Sequence, residues 1–214
     1  MIEGHLIAHP GAAGSGLSPS SGALDPSLFH ATLEPQVGLW KQVELGAYLE
    51  SSLWPNGSYL FEGAKLRLKG RIAPGAWPFE AALNIEVGRS DPRSGEPPWA
   101  GEIRPILFKE FGRCRAILNP IIGLALSPFA APSFEPAAKA NCVVAWDSAL
   151  GLEYYSDLGL FPSLEPLAAQ QHLLVYTLDV YRWPKVELNF GLGQPLTRAS
   201  GGWVLNSNLG LELP

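Results

Sequence analysis

His172, with Ser156 or Ser163, is the set of residue types in this chain that could support nucleophilic chemistry. An imidazole takes the proton of a hydroxyl as it attacks an acyl carbon, and a carboxylate holds the imidazole in the productive tautomer. His172 follows Gln170-Gln171, and His30 is the other histidine in the body of the chain. Nothing in the spacing singles out a nucleophile, so no residue is assigned as catalytic and the chain reads as a non-enzyme, with a His172 hydrolase as the alternative. His5 and His9 lie in a doubtful leader and carry no weight in this reading. Gly191-x-Gly193 sits inside a strand-like run instead of between a strand and a helix, which excludes a nucleotide loop. Cys114 and Cys142 have neither C-x-x-C spacing nor neighbouring histidines, so no metal and no cofactor are expected. They read first as two small apolar side chains, with a disulfide as the lesser reading.

Charge placement is more informative. Lys65, Arg67 and Lys69 share one face of one segment, and three such cations repel unless carboxylates on adjacent segments meet them. Glu44 and Glu50 before the triplet, and Glu80 and Glu86 after it, have the phase to do so. Glu102, Arg104, Arg115, Glu135, Lys139, Glu153, Asp157, Asp179 and Glu187 fall on the corresponding face of their own segments. Enclosed in a barrel, these groups would form a paired and partly hydrated lumen network, acting either as a salt-bridged plug or as a charged constriction that selects solutes.

The elements that must position these charges are strands. Val186 to Gly193 alternates apolar with polar or small residues without a slip, and the run from Trp203 to Leu213 repeats the pattern. Similar segments lie near 28–37, 42–54, 59–71, 78–89, 99–110, 113–126, 134–146, 148–158, 171–182, 185–194 and 203–213, eleven in all. From residue 89 onward the connections alternate long and short, as they do in outer-membrane barrels with long external loops and short periplasmic turns. Arg104-Pro105 and Glu135-Pro136 place proline inside strands, which implies local bends.

The seven tryptophans give an independent test, because aromatic rings prefer the boundary between membrane and water. Trp40, Trp77, Trp146 and Trp183 fall at the short-turn end, and Trp54, Trp99 and Trp203 at the long-loop end, forming two girdles. Charged residues make up only 16% of the chain, well under the quarter usual in soluble domains, so the solubilising surface is thin. The net charge of −5 without a basic run excludes nucleic acid as a partner. No run of about 18 apolar residues exists, so membrane insertion must be by strands.

The phrases Glu102-Ile103-Arg104-Pro105-Ile106-Leu107, Asn119-Pro120, Phe134 to Lys139, Leu150 to Asp157 and Asn189 to Gly193 resemble those of a group of small, largely uncharacterised outer-membrane β-barrel proteins of Gram-negative bacteria. The resemblance implies a location and a fold, not a reaction. The expectation is an all-β, antiparallel, up-and-down transmembrane β-barrel of about 10–12 strands over residues 27–214, behind a disordered or misassigned leader at 1–26. It would lie in the bacterial outer membrane among outer-membrane lipids, as a narrow pore or structural envelope protein that passes small solutes, its export signal not in this sequence. A soluble ligand-binding barrel with the apolar face inside is a further alternative. Eleven strands cannot close antiparallel, so one strand is missing at the N-terminal edge.

Overall fold

A computed structural model describes residues 1–9, 16–17, 24–25, 29–72, 78–94, 96–145 and 147–213. The chain forms a closed antiparallel barrel of twelve strands. They are β1 Ile2–Ala8, β2 Phe29–Trp40, β3 Val43–Leu53, β4 Tyr59–Arg71, β5 Glu80–Ser90 and β6 Trp99–Phe111. The second half comprises β7 (Cys114–Asn119 continued by Ile122–Ser127), β8 (Ser133–Phe134 continued by Ala137–Ala145), β9 Ser148–Asp157, β10 Gln171–Trp183, β11 Val186–Pro195 and β12 Val204–Leu211. The breaks in β7 and β8 fall at Pro120 and at Glu135-Pro136, where proline cannot donate to the ladder.

The twelfth strand is the segment set aside as leader. Ile2–Ala8 pairs antiparallel on one side with Leu205 to Leu211 and on the other with Phe29 to Pro35, so neither the first long strand nor the last has an open edge. The leader reading is therefore corrected over these residues. They alternate as any barrel strand does, with Leu6 45% exposed and Ile7 5% exposed, but seven residues with a glycine in third place give only a short periodic signal. The rest of the leader lies largely outside the described residues, apart from a two-residue ladder pairing Gly16-Leu17 with Leu24-Asp25.

The faces are inverted relative to a soluble barrel. Leu45, Leu66, Leu83 and Leu152 are exposed, while Arg67, Glu86, Glu153, Asn141 and Asp179 are buried. A rank of outward leucines is the surface that hydrocarbon would cover. Trp40, Trp99, Trp183 and Trp203 are exposed near strand ends, and Trp54 bonds through its Nε1 to Ser52 Oγ at 3.0 Å. Trp77 and Trp146 lie outside the described residues.

Cys114 and Cys142 form a disulfide across the directly opposed pair of β7 and β8, correcting the reading as two separate thiols. The register explains it: opposed residues of an antiparallel pair bring their Cα atoms to 4.0 Å here, and a 28-residue separation in sequence gave no hint of that. Such a bond belongs to an oxidising compartment.

Candidate functional site in the lumen

Alternation along β2 turns His30, Thr32, Glu34 and Gln36 to one side, and the first three are buried inside the barrel. Directly across the ladder, Ser52 faces His30 and Glu50 faces Thr32. In β4 the register slips between Glu50/Gly63 and Ser51/Phe61, so Glu62 is an extra residue. Bulges of this kind re-aim side chains, and the Glu62 carboxylate turns in to lie 2.9 Å from His30 Nδ1. Gly63 is required beside it, because a Cβ there would sit 2.3 Å from the Arg89 carbonyl oxygen of β5. On the other side of the ring, His30 Nε2 lies 3.3 Å from Thr32 Oγ1. A hydroxyl, an imidazole and a carboxylate thus stand in sequence at the long-loop end of the lumen, with Glu62 oriented to accept a hydrogen bond from Nδ1–H and Nε2 facing the Thr32 hydroxyl.

Cations flank this relay. Lys65 Nζ lies 3.1 Å from Glu50 and 3.8 Å from Glu96, which is carried in on the loop after β5. That loop is braced by Asp91, whose carboxylate takes two hydrogen bonds from the Arg93 guanidinium and one from its backbone N–H; these hold Asp91 down to about 2. Deeper in the lumen, Arg67 is a hub. It pairs with Glu34 and with Glu44 (2.5 Å), donates to Gln36 Oε1 (2.6 Å) and Tyr48 Oη (3.1 Å), and stacks over the Tyr48 ring. Lys139 joins Glu153 (2.7 Å) to Asp179 (3.2 Å), and Asn141 and Asn189 donate to the remaining valences of Asp179.

The expected charge face is therefore largely in one enclosure, but not every member joins it. Glu80 and Glu187 are exposed, because they stand at the short-turn ends of β5 and β11, beyond the enclosed length of the barrel. Lys69 is half-buried with no carboxylate within ion-pair distance among the described residues. Arg115 donates to Asn141 and Tyr181 instead of a carboxylate. Glu102 pairs with Arg104 two residues along its own strand, Glu86 accepts from Asn84, Glu135 from Ser133 Oγ, and Asp157 from the Gly159 N–H. Lys65, Glu86, Glu96, Glu102, Glu135 and Asp157 line a cavity of about 340 Å³ toward the loop end.

The His172 site is not assembled. His172 and Tyr154 have the outward phase of their strands, and the His172 ring bonds to Tyr154 Oη (2.6 Å) and Gln170 Oε1 (3.1 Å). Ser156 Oγ donates to the Pro136 carbonyl and Ser163 is exposed in a loop, so neither serves as its nucleophile. Sequence reasoning passed over Thr32, Glu34 and Glu62, and over Glu3 and His5. The alternation of His30, Thr32, Glu34 and Gln36 was a usable signal, whereas the bulge at Glu62 breaks phase and left none.

No family model matches this chain, and none of the curated proteins does. Among solved structures, the barrel is similar to LpxR from Salmonella typhimurium, with a TM-score of 0.51 and 9% sequence identity over 99% of each chain. At that identity the likeness is one of fold. LpxR is an outer-membrane lipid A deacylase, so the non-enzyme reading is corrected: this barrel form is one on which an enzyme is built. The resemblance to small outer-membrane barrels holds at the level of the twelve-stranded fold.

Proposed function

We propose that this protein is an outer-membrane hydrolase that cleaves an acyl ester of an envelope lipid, with Thr32 as nucleophile, His30 as general base and Glu62 as the group that orients it. The carrying observation is the relay from Thr32 Oγ1 to His30 Nε2 (3.3 Å) and from His30 Nδ1 to Glu62 Oε2 (2.9 Å). Thr32 Oγ1 bonds to the acyl carbon as its proton passes to His30, and the ester C–O bond breaks as His30 returns that proton to the leaving alkoxide. Water, deprotonated by the same imidazole, then attacks the acyl carbon, the bond from that carbon to Thr32 Oγ1 breaks as the imidazole returns the proton to Oγ1, and the acid leaves. Lys65, held on the Glu50 that faces Thr32, places an ammonium in the same stretch of lumen, where it would favour the oxyanion. The first hydrogen bond is long, as catalytic contacts often are before substrate binds. Support for a lipid substrate comes from the outward apolar face and from the fold shared with a lipid A deacylase. Solute passage draws less support, since the inward charges are largely consumed in contacts with one another.

The test is acyl release from ester-linked outer-membrane lipids in mixed micelles by the refolded chain. Thr32→Ala and His30→Gln should each lower the rate by about 10³-fold or more, with heat-modifiable gel migration retained as the sign of a folded barrel. A folded Thr32→Ala protein as active as the parent would overturn the assignment.

A further inference from the structure

A second constellation lies one ladder step from Thr32 and has no part in the relay. β1 presents Glu3 and His5 to the lumen, and β2 places Thr32 opposite His5 and Glu34 opposite Glu3. One ligand atom from each of Glu3, His5 and Glu34 lies within 4.8 Å of the others. His5 Nε2 is 3.6 Å from Glu3 Oε2 and 3.5 Å from Glu34 Oε2, outside hydrogen-bond range, and it is a buried atom without a hydrogen-bond partner. Two ligands held 2.0–2.2 Å from a common tetrahedral ion stand about 3.4 Å apart, so these separations suit an ion between the groups.

The surroundings orient the three groups as the outer partners of a metal site do. Gln36 Nε2 donates to the other oxygen of Glu3 (2.7 Å), and Arg67 engages the other oxygen of Glu34, so each Oε2 is left turned toward the His5 ring. Glu34 is 3% exposed, which makes its inward oxygen a deeply buried acceptor. Charge points the same way: the cavity that these groups share is lined by the carboxylates of Glu3, Glu34, Glu50 and Glu86 against the guanidinium groups of Arg67 and Arg104, four negative charges against two positive. A divalent cation balances that count, and enclosed charges that are unbalanced are costly. The cluster opens on a cavity of about 310 Å³ that Thr32 also lines, which leaves room for a fourth ligand.

We infer that Glu3, His5 and Glu34 bind one divalent transition-metal ion of the zinc type, through one imidazole nitrogen and two carboxylate oxygens. One nitrogen and two oxygens are a donor set for such an ion, and the remaining position faces the lumen cavity.

Zinc titration of the refolded, chelator-treated full chain, followed calorimetrically in detergent, is the direct test. The expected result is one equivalent bound at micromolar or tighter concentration, weakened at least tenfold in His5→Ala and in Glu34→Gln and unchanged in His172→Ala. X-ray absorption of the zinc-loaded parent needs no variant, and should show one imidazole among otherwise oxygen ligands. Failure to bind, a folded His5→Ala protein with undiminished affinity, or a spectrum with two or more imidazoles would each overturn the inference. Thr32→Ala keeps the result separate from the hydrolase reading, since it should abolish acyl release and leave zinc binding in place.

Discussion

Arg67→Ala tests whether the lumen charges act as an enclosed network. The substitution removes the guanidinium that pairs with Glu34 and Glu44 and donates to Gln36 and Tyr48. Glu44 retains 28% side-chain exposure and can be rehydrated, so its share of the loss is small. Glu34 cannot be, with 4% side-chain exposure. Removing one partner of a buried pair leaves the other charge stranded and costs about 3–5 kcal/mol. With a urea dependence of about 3 kcal/mol per molar, the unfolding midpoint should fall by about 1 to 1.7 M. The assay is equilibrium urea unfolding in lipid vesicles, followed by tryptophan fluorescence. Glu34→Gln combined with Arg67→Met should recover most of the loss, because the carboxylate left without its partner is then the hydratable Glu44 and no longer the buried Glu34. A midpoint for Arg67→Ala that matches the parent within error would refute the reasoning, since only a well-hydrated lumen could tolerate the change.

Within the proposed relay, Glu62→Gln should lower acyl release less than His30→Gln does, because the base survives and only its orienting charge is lost; rates in mixed micelles decide this. Gly63→Ala should destabilise the barrel by about 1–3 kcal/mol, as the new methyl meets the Arg89 carbonyl and forces β4 from β5; urea unfolding reads it directly. Replacing Cys114 and Cys142 with alanine should cost up to about 3–4 kcal/mol for the 28-residue loop that the bond closes, and reducing agent should have the same effect on the parent. Asp91 is held below its ordinary value of 3.8 by Arg93, so its contribution to ordering the loop is complete above that value and is lost as pH falls through about 2. A carboxyl chemical-shift titration of Asp91 should show the depressed midpoint.

The sequence by itself determined the class of fold and the sense of its faces. Strict alternation leaves only two arrangements, and placing charges such as Arg67, Glu153 and Asp179 in phase with one another, opposite leucines such as Leu66 and Leu152, chooses between them. It also required an even number of strands, because an open edge in hydrocarbon strands unpaired backbone groups. Which segment supplies the last strand was settled by closure: Ile2–Ala8 is too short to announce itself, yet it satisfies two ladders at once. The candidate site was less legible still. Phase places Thr32 and His30 on the lumen side, but the carboxylate that completes the relay comes from a bulge, where alternation fails by construction. Partners on different strands, such as Arg67 with Glu34, Lys139 with Asp179, and Cys114 with Cys142, depend on register, and register belongs to the pairing of strands and not to any one of them.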